Sequence, residues 1–291
     1  MMNKEKYIPN NDYTQKKLFL KEASSEYVRM SDGAELKFIF TKKGKNSSNY
    51  SILFVPGFAT FYSSWNDLWD ELYNLFNLYI IDKRELKSSK VKWKHKATMD
   101  RLAEDLKDAV EHFQIDQSNL VFMGPCLGSS IIAHAVASKK VNPAGVILNS
   151  PPRRFVLPYA LLPIGYMFPS FFMGILGKPL IKTWIKLTMK PGLQRDTYLE
   201  NISNASGMRW KKYLAITHWD SFDDYPSINC PTLVTGASED RIHDNVIAKK
   251  TSDLIKNAKF LDTPSYYWSH YYPGVIEYTK EIKQFISTLT K

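Results

Sequence analysis

The chain has 291 residues, and its 39 Lys and Arg against 29 Asp and Glu give a formal net charge of +10. Apolar residues make up 44% of the sequence and charged residues 23%, which excludes an intrinsically disordered chain. Two cysteines are too few for a disulfide framework, and the polar N-terminus lacks the apolar segment of a signal peptide. Together these features favour a cytoplasmic protein.

Strands and helices are predicted to alternate along most of the chain. Residues 1–25 are interpreted as a flexible leader, and a hairpin of two strands, 26–30 and 35–41, follows it. Short apolar runs then alternate with segments of helical periodicity, up to a last helix at 275–289. The predicted strands beyond the hairpin are 51–55, 78–81, 120–123, 145–148, 232–235 and 259–262. This alternation predicts an α/β fold with a mostly parallel central sheet and helices on both faces.

A long interruption follows the sixth predicted strand. Its first part, residues 155–177, contains 23 residues without a charge. Such a stretch is long enough to cross a bilayer, but three prolines within it argue against one continuous helix. We therefore predict a helical cap at 151–225, inserted into a core that comprises 26–150 and 226–291.

The most informative segment is Gly124-Pro125-Cys126-Leu127-Gly128, which lies between the fifth predicted strand and a helix of small residues. In a nucleophile elbow the central residue occupies a strained turn from strand to helix, and the flanking glycines prevent clashes. The N-terminus of the following helix favours the thiolate form of a cysteine at that position. We therefore predict that Cys126 is a nucleophile, the alternative being a small buried cysteine.

Two later predicted strands are each followed by a titratable residue. Asp240 comes after the strand at 232–235, and His270 comes after the strand at 259–262. A nucleophile, an acid and a histidine after successive strands follow the chain order of α/β-hydrolase triads. Three further segments match patterns of that superfamily: Phe54-Val55-Pro56-Gly57-Phe58, Ile81-Asp82-Lys83-Arg84 and Leu148-Asn149-Ser150-Pro151.

Apart from the leader, the chain thus resembles the α/β-hydrolase superfamily, in particular its capped lysophospholipase and monoacylglycerol-lipase-like branch. The resemblance implies the α/β-hydrolase fold and assigns a role to each member of a catalytic triad. Cys126 would be the nucleophile, His270 the general base, and Asp240 would orient and stabilise the imidazolium. The backbone N–H groups of Phe58 and Leu127 would form the oxyanion hole.

The sequence departs from the usual pattern of the superfamily at several of these positions. Cys126 stands where serine is usual, Pro125 and Pro56 each replace a histidine, and Ser129 replaces a glycine. Natural cysteine elbows occur in dienelactone hydrolases and polyhydroxyalkanoate synthases, which this stretch also resembles. A thiolate attacks an acyl-thioester at little thermodynamic cost, because one thioester replaces another.

We therefore expect an acyl hydrolase, of the esterase, thioesterase or lipase-like kind, that acts on a lipophilic ester or thioester through a covalent acyl-enzyme. An acyltransferase with the same acyl-cysteine intermediate and a non-catalytic lipid-binding protein are the alternatives. Neither a cofactor nor a metal is expected, since no pair of histidines has metal-ligand spacing. Substrate contacts are predicted at five residues of the cap and rim, which could instead serve packing alone: Phe155, Tyr159, Met167, Phe171 and Trp268.

The positive charge is concentrated in the predicted cap. Seven of the ten surplus charges lie in residues 151–195, which contain no acid, and lysine recurs at every fourth position from Lys178 to Lys190. This is the pattern of a basic amphipathic helix. We expect it to contact an anionic membrane peripherally or a phosphate-bearing donor such as acyl-CoA, a solvated helix face being the simpler alternative. No nucleic-acid partner is expected, since no recognition motif accompanies the basic residues.

Overall fold

An eight-stranded sheet runs through the protein. The computed structural model describes residues 7–9, 13–41, 49–157, 161–238 and 244–290. The strand order is β1-β2-β4-β3-β5-β6-β7-β8. The strands are β1 (Ser24–Arg29), β2 (Glu35–Thr41), β3 (Ser51–Phe54), β4 (Asn77–Asp82), β5 (Leu120–Pro125), β6 (Gly145–Asn149), β7 (Thr232–Ala237) and β8 (Ala258–Thr263). Because β2 is antiparallel to β1 and β4 while all other pairs are parallel, the predicted mostly parallel sheet is confirmed.

Helices cover both faces of the sheet. They are α1 (Leu18–Glu22), α2 (Asn66–Leu72), α3 (Met99–His112), α4 (Leu127–Ala137), α5 (Leu162–Met167), α6 (Ser170–Phe172), α7 (Lys178–Thr188), α8 (Leu193–Asn204), α9 (Gly207–Trp210), α10 (Asn245–Leu254), α11 (Tyr266–His270) and α12 (Gly274–Ser287). Alternate side chains of a strand point to opposite faces. Leu53 and Phe122 therefore pack with α3, α4 and α10, while Ile52 and Val121 pack with α1, α2 and α12.

The helix α3 shows how the sequence pattern fixes one of these layers. The Thr98 hydroxyl caps its N-terminus by accepting from the Arg101 N–H. Leu102, Leu106 and Val110 then recur on one face of the helix and are buried against the sheet. This apolar stripe thus determines which side of α3 packs on the sheet.

Part of the segment interpreted as a leader packs on the core. Phe19 of α1 is fully buried among the residues of α2, and its backbone N–H donates to the Asp70 carboxylate at 2.7 Å. Residues 1–6 and 10–12 lie outside the described residues. The described part of the segment therefore contributes to the layer that α2 and α12 form.

In the described part of the chain between β6 and β7, the helices α5 to α9 form the predicted cap. A π-helical turn, Met173–Gly177, joins α6 to α7. The cap has an apolar cluster of its own, in which Ile181, Ile185 and Trp210 pack against Ala59 and other residues of the core. Among the residues that the structure describes, no helix is both long and apolar enough to cross a bilayer.

Polar contacts attach the cap to the loop that follows β4. The Arg209 guanidinium donates to the carbonyls of Leu86 and Ser89, at 2.5 and 2.8 Å. The Ser206 N–H donates to the Glu85 carbonyl at 2.8 Å. Because these bonds join the cap to backbone close to the carboxyl end of the parallel strands, the cap lies over that edge of the sheet.

Candidate active site

The turn between β5 and α4 has the geometry expected of an elbow. Cys126 adopts φ 48° and ψ −121°, a strained backbone conformation for a non-glycine residue. Its N–H donates to the Asn149 carbonyl at the end of β6, and its carbonyl accepts from the Ser129 N–H in the first turn of α4. These bonds hold the half-buried Cys126 side chain above the end of the sheet, directly before the helix N-terminus.

Two glycines make this turn sterically possible. A Cβ on Gly128 would lie 1.8 Å from the Val55 carbonyl oxygen, and a Cβ on Gly124 would lie 2.7 Å from the same atom. Neither distance is compatible with a side chain, so the Gly-x-Cys-x-Gly pattern reflects a close approach of two backbones. Ser129, which departs from the superfamily pattern, is accommodated because its hydroxyl donates to the Gly124 carbonyl at 2.6 Å.

The imidazole of His270 is held between two aromatic rings. His270 is the last residue of α11, a short helix where the sequence indicated a loop, and its side chain is buried. Its ring centroid lies 3.9 Å from those of Trp65 and Tyr266. Its Nδ1 lies 2.9 Å from the Tyr266 carbonyl and 2.9 Å from the Ser269 hydroxyl. Since a carbonyl can only accept, the contact with Tyr266 places a proton on Nδ1 and makes Nε2 the basic nitrogen.

The predicted oxyanion donors lie beside the cysteine. A Cβ on Gly57 would contact the Cys126 Cβ at 3.6 Å, so the backbone before Phe58 passes close to the elbow. Leu127 is the first residue of α4, where an N–H has no acceptor within its own helix. In the described part of the chain, neither the Phe58 nor the Leu127 N–H donates to a protein acceptor. Both groups therefore remain available to a ligand.

A buried carboxylate anchors the loop that carries Phe58. The Ala59 N–H donates to Glu85 Oε1 at 3.0 Å, and the side chains of Lys83 and Tyr213 also donate to Glu85. Glu85 and Tyr213 are fully buried, and Lys83 is nearly so. Burial and the charge of Glu85 raise the pKa of Tyr213 well above its usual value, so the phenol remains a hydrogen-bond donor. One carboxylate thus fixes the Phe58 loop and also binds the cap, which supplies Tyr213.

The Arg84 side chain stabilises the fold and does not line the candidate site. It is fully buried and donates to the carboxylates of Asp105 and Asp32, at 2.6 and 2.7 Å. These bonds raise the pKa of Arg84 although burial opposes the charged form. The Asp-x-Arg segment therefore anchors the start of the loop that presents Glu85.

A cavity of about 290 Å³ separates the elbow from the cap, and both Cys126 and His270 line it. The cap side of its wall is apolar and comes mainly from α7 and α8. The residues that the cap contributes are Leu161, Ile181, Trp184, Ile185, Met189, Tyr198, Asn201, Ile202 and Trp210. Asn201 also accepts from the Phe61 N–H at 2.9 Å and from the Ser64 hydroxyl at 2.7 Å. The wall of the cavity is therefore bonded to the segment that carries Phe58.

Four of the predicted substrate contacts do not line this cavity. Phe155 is buried and packs its ring on Phe58, with centroids 5.0 Å apart, whereas Trp268 packs in the core against Tyr278. Met167 and Phe171 are exposed on the outer side of the cap. The sequence could not distinguish the two sides of the cap, because nearly every residue of 155–177 is apolar and gives the helices no polar face.

The predicted acid Asp240 and the predicted contact Tyr159 lie outside the described residues. The structure also brings to the site residues that the sequence did not single out, notably Glu85, Trp65 and Tyr266. A signal existed for Glu85, because an acid occupies a position where the superfamily segment usually has glycine. Nothing in the sequence indicated that Trp65 would stack on His270, since the contact is set by the packing of α2 beside α11.

No protein-family model and no curated protein matches the sequence. Several solved structures share its fold. An enol-lactonase from Burkholderia xenovorans LB400 is 15% identical, with a TM-score of 0.73 over 90% of this chain and 100% of that one. A thermophilic esterase from Thermogutta terrifontis is 20% identical, with a TM-score of 0.70 over 92% and 100%. A bromoperoxidase from Bacillus anthracis is 14% identical, with a TM-score of 0.69 over 92% and 99%.

These similarities extend over almost the whole length of each chain. At such low sequence identity they establish the fold alone, because one fold supports many different reactions. The protein therefore has the α/β-hydrolase fold, with a helical cap inserted after the sixth strand.

Proposed function

We propose that the protein is an acyl hydrolase that cleaves a lipophilic ester or thioester through a Cys126-His270-Asp240 triad and a covalent acyl-enzyme. The observation that carries the proposal is the strained elbow at Cys126, which opens with His270 into one cavity beneath an apolar cap. A strained backbone persists only where the surrounding structure enforces it, and such strain is typical of functional sites. The esterase and lactonase with this fold agree with the proposed class of reaction.

In the proposed first half-reaction, the Cys126 sulfur attacks the acyl carbonyl carbon while His270 Nε2 takes the thiol proton. The resulting oxyanion accepts hydrogen bonds from the N–H groups of Phe58 and Leu127. The intermediate then collapses, the bond to the alcohol or thiol leaving group breaks, and His270 returns the proton to that group. The acyl group remains on Cys126 as a thioester.

In the second half-reaction, His270 removes a proton from a water molecule as the water oxygen attacks the thioester carbonyl. The same two N–H groups stabilise the second oxyanion. Its collapse breaks the carbon–sulfur bond and releases a carboxylic acid, while the His270 imidazolium returns its proton to the Cys126 sulfur and restores the thiol. An alcohol or amine that enters in place of water would give acyl transfer by the same steps, and product analysis with competing acceptors separates the two reactions.

The walls of the cavity support a lipophilic acyl group as the substrate. The aliphatic side chains of Leu161, Ile181, Ile185 and Ile202 would exclude water from a bound chain. The core side of the cavity also carries polar side chains, among them Asn149 and Ser269, together with Cys126 and His270, and the reacting carbonyl would be placed on this side.

Turnover of aryl esters and acyl-thioesters tests the proposal. We expect Cys126→Ala and His270→Ala each to lower kcat/KM by at least about 10³-fold, because each removes a group that acts on the reacting atoms. Cys230→Ala is the matched control. Burial raises the pKa of the Cys230 thiol to about 11, so this thiol is a poor nucleophile and its removal should leave turnover unchanged. Turnover by Cys126→Ala at the wild-type rate would refute the role of Cys126, and absence of turnover by the wild type would refute the enzyme claim and favour a non-catalytic lipid-binding protein.

The contacts of His270 also predict how strongly activity depends on Asp240. The Tyr266 carbonyl already favours the Nδ1–H tautomer, so the acid would mainly stabilise the imidazolium. We expect Asp240→Asn to lower kcat about ten- to a hundredfold, less than the roughly 10⁴-fold loss measured where the acid alone sets the tautomer. Steady-state kinetics beside His270→Ala checks this ranking. A loss as large as that of His270→Ala would contradict the role of the Tyr266 carbonyl.

Glu85 is proposed to be a positioning residue for the oxyanion hole, acting through the Ala59 N–H. We expect Glu85→Gln to lower kcat about tenfold with little change in KM. A looser Phe58 loop would weaken the hydrogen bond from the Phe58 N–H to the oxyanion, and this bond forms fully only in the transition state. Tyr213→Phe, which removes one donor to Glu85, should lower kcat a few-fold in the same way. Both variants are assayed at temperatures where they remain folded.

Glu35→Gln is the control for the loss of a carboxylate. Glu35 lies on β2 and forms an exposed ion pair with Lys90. It should retain the kinetics of the wild type. If folded Glu85→Gln and Tyr213→Phe also retain wild-type kcat, the network around Glu85 serves only stability.

A further inference from the structure

Exposed apolar side chains are concentrated on the outer side of the cap. Of the eighteen large apolar side chains that are exposed among the described residues, nine lie between residues 166 and 187. We call them the cap apolar face: Tyr166, Met167, Phe168, Phe171, Ile175, Leu176, Leu180, Trp184 and Leu187. The helices that carry them contact one another, so the nine side chains belong to one region of the surface. Soluble proteins rarely leave such a region uncovered, and it usually marks a binding surface.

The helix α7 has two apolar sides with different surroundings. Ile181 and Ile185 are buried and line the cavity. Leu180 and Leu187 point away from it and are 46% and 81% exposed. The packing of the cap therefore explains why Ile181 and Ile185 are apolar. It does not explain Leu180 and Leu187, which no other part of the described structure covers.

Three lysines on or just beyond α7, the helix that carries part of this surface, lack an acidic partner among the described residues. Lys182, Lys186 and Lys190 form no ion pair within the described residues. The other basic residues of the cap are engaged elsewhere. Arg153 and Arg154 pair with Asp220, at 2.8 and 3.0 Å.

Lys178 is also engaged, since it donates to the carbonyls of Ser203 and Ala205, at 3.1 and 2.8 Å. Burial and the neighbouring lysines lower its pKa to about 8. The three free lysines on and just beyond α7 are therefore the charges that a ligand of this surface would meet.

The positive charge of the three lysines distinguishes between two possible binding partners of the cap apolar face. A second copy of the chain in a twofold contact would bring the same lysines towards one another, and the helices α5 to α7 carry no acid to offset them. A lipid bilayer with anionic headgroups would instead accept the apolar side chains below its surface and the lysines at the headgroups. Aromatic side chains such as Tyr166 and Trp184 favour that boundary, because they combine an apolar ring with a polar group.

We propose that the cap apolar face docks on a lipid bilayer that contains anionic headgroups, with Lys182, Lys186 and Lys190 contacting the headgroups. Trp184 belongs both to this face and to the lining of the cavity, and it is half exposed. The cavity therefore reaches the surface at the docking face, where a lipid molecule could enter it.

Vesicle binding by the full-length protein tests the proposal, with phosphatidylcholine vesicles compared with vesicles that also contain phosphatidylglycerol. We expect the wild type to bind the anionic vesicles, and the double variant Met167→Asp/Leu187→Asp to bind them at least about tenfold more weakly. The triple variant Lys182→Gln/Lys186→Gln/Lys190→Gln should lose about fivefold per lysine on the anionic vesicles. The three lysines should make little difference on the neutral vesicles.

The matched control is Trp93→Asp/Val246→Asp, which places the same charges at exposed apolar positions outside the cap and should bind like the wild type. Melting curves identify any variant that does not fold, and the lysine variant changes only side chains at the surface. Absence of wild-type binding to anionic vesicles, or equal binding by all folded variants, would overturn the proposal. A wild-type dimer that Met167→Asp/Leu187→Asp converts to monomer, with vesicle binding unchanged, would assign the face to a second copy instead.

Discussion

The contact between the Val55 carbonyl and the elbow is the constraint on which the candidate site depends. Val55 follows β3, and its N–H donates to the Met123 carbonyl of β5 at 2.8 Å, so the two backbones are fixed side by side. Only glycine fits at 124 and 128 at this distance, and the chain between them must turn sharply. The turn raises Cys126 above the sheet and brings Gly57 and Phe58 alongside it. The proposed nucleophile and the proposed oxyanion donors are therefore both positioned by the central strands.

The cap is joined to the same group of elements by buried polar contacts. Glu85 accepts from the Phe58 loop and from Tyr213 of the cap, while Asn201 of α8 accepts from Phe61 and Ser64. A change in the position of the cap would therefore alter the bonds that hold the Phe58 loop, which is proposed to form part of the oxyanion hole. The buried residues Glu85 and Asn201 thus connect the cap, whose outer face is proposed to contact lipid, to the Phe58 loop, which is proposed to act on the substrate.

Much of the core was predictable from the sequence, and most of the cap was not. Strands such as β5 and helices such as α3 have apolar patterns with clear polar contrast, and the glycines on either side of Cys126 identify the elbow. Residues 155–177 have no such contrast, so Met167 and Phe171 could not be assigned to the outer side. The role of Glu85 depends on Tyr213, which lies 128 positions later in the chain. The short helix α11 was missed because its run of Tyr266, Tyr267 and Trp268 has only weak helix propensity, and packing around His270 stabilises it instead.

The central claim, that Cys126 carries the acyl group, is tested most directly by the mass of the intact protein after incubation with an acyl-thioester. We expect the wild type to gain the mass of one acyl group, peptide mapping to locate it on Cys126, and Cys126→Ala to show no gain. Hydroxylamine should remove the group, because a thioester is cleaved by this nucleophile. An acyl group found on Cys230 instead, or turnover of the thioester by the wild type and by Cys126→Ala at equal rates, would contradict the account.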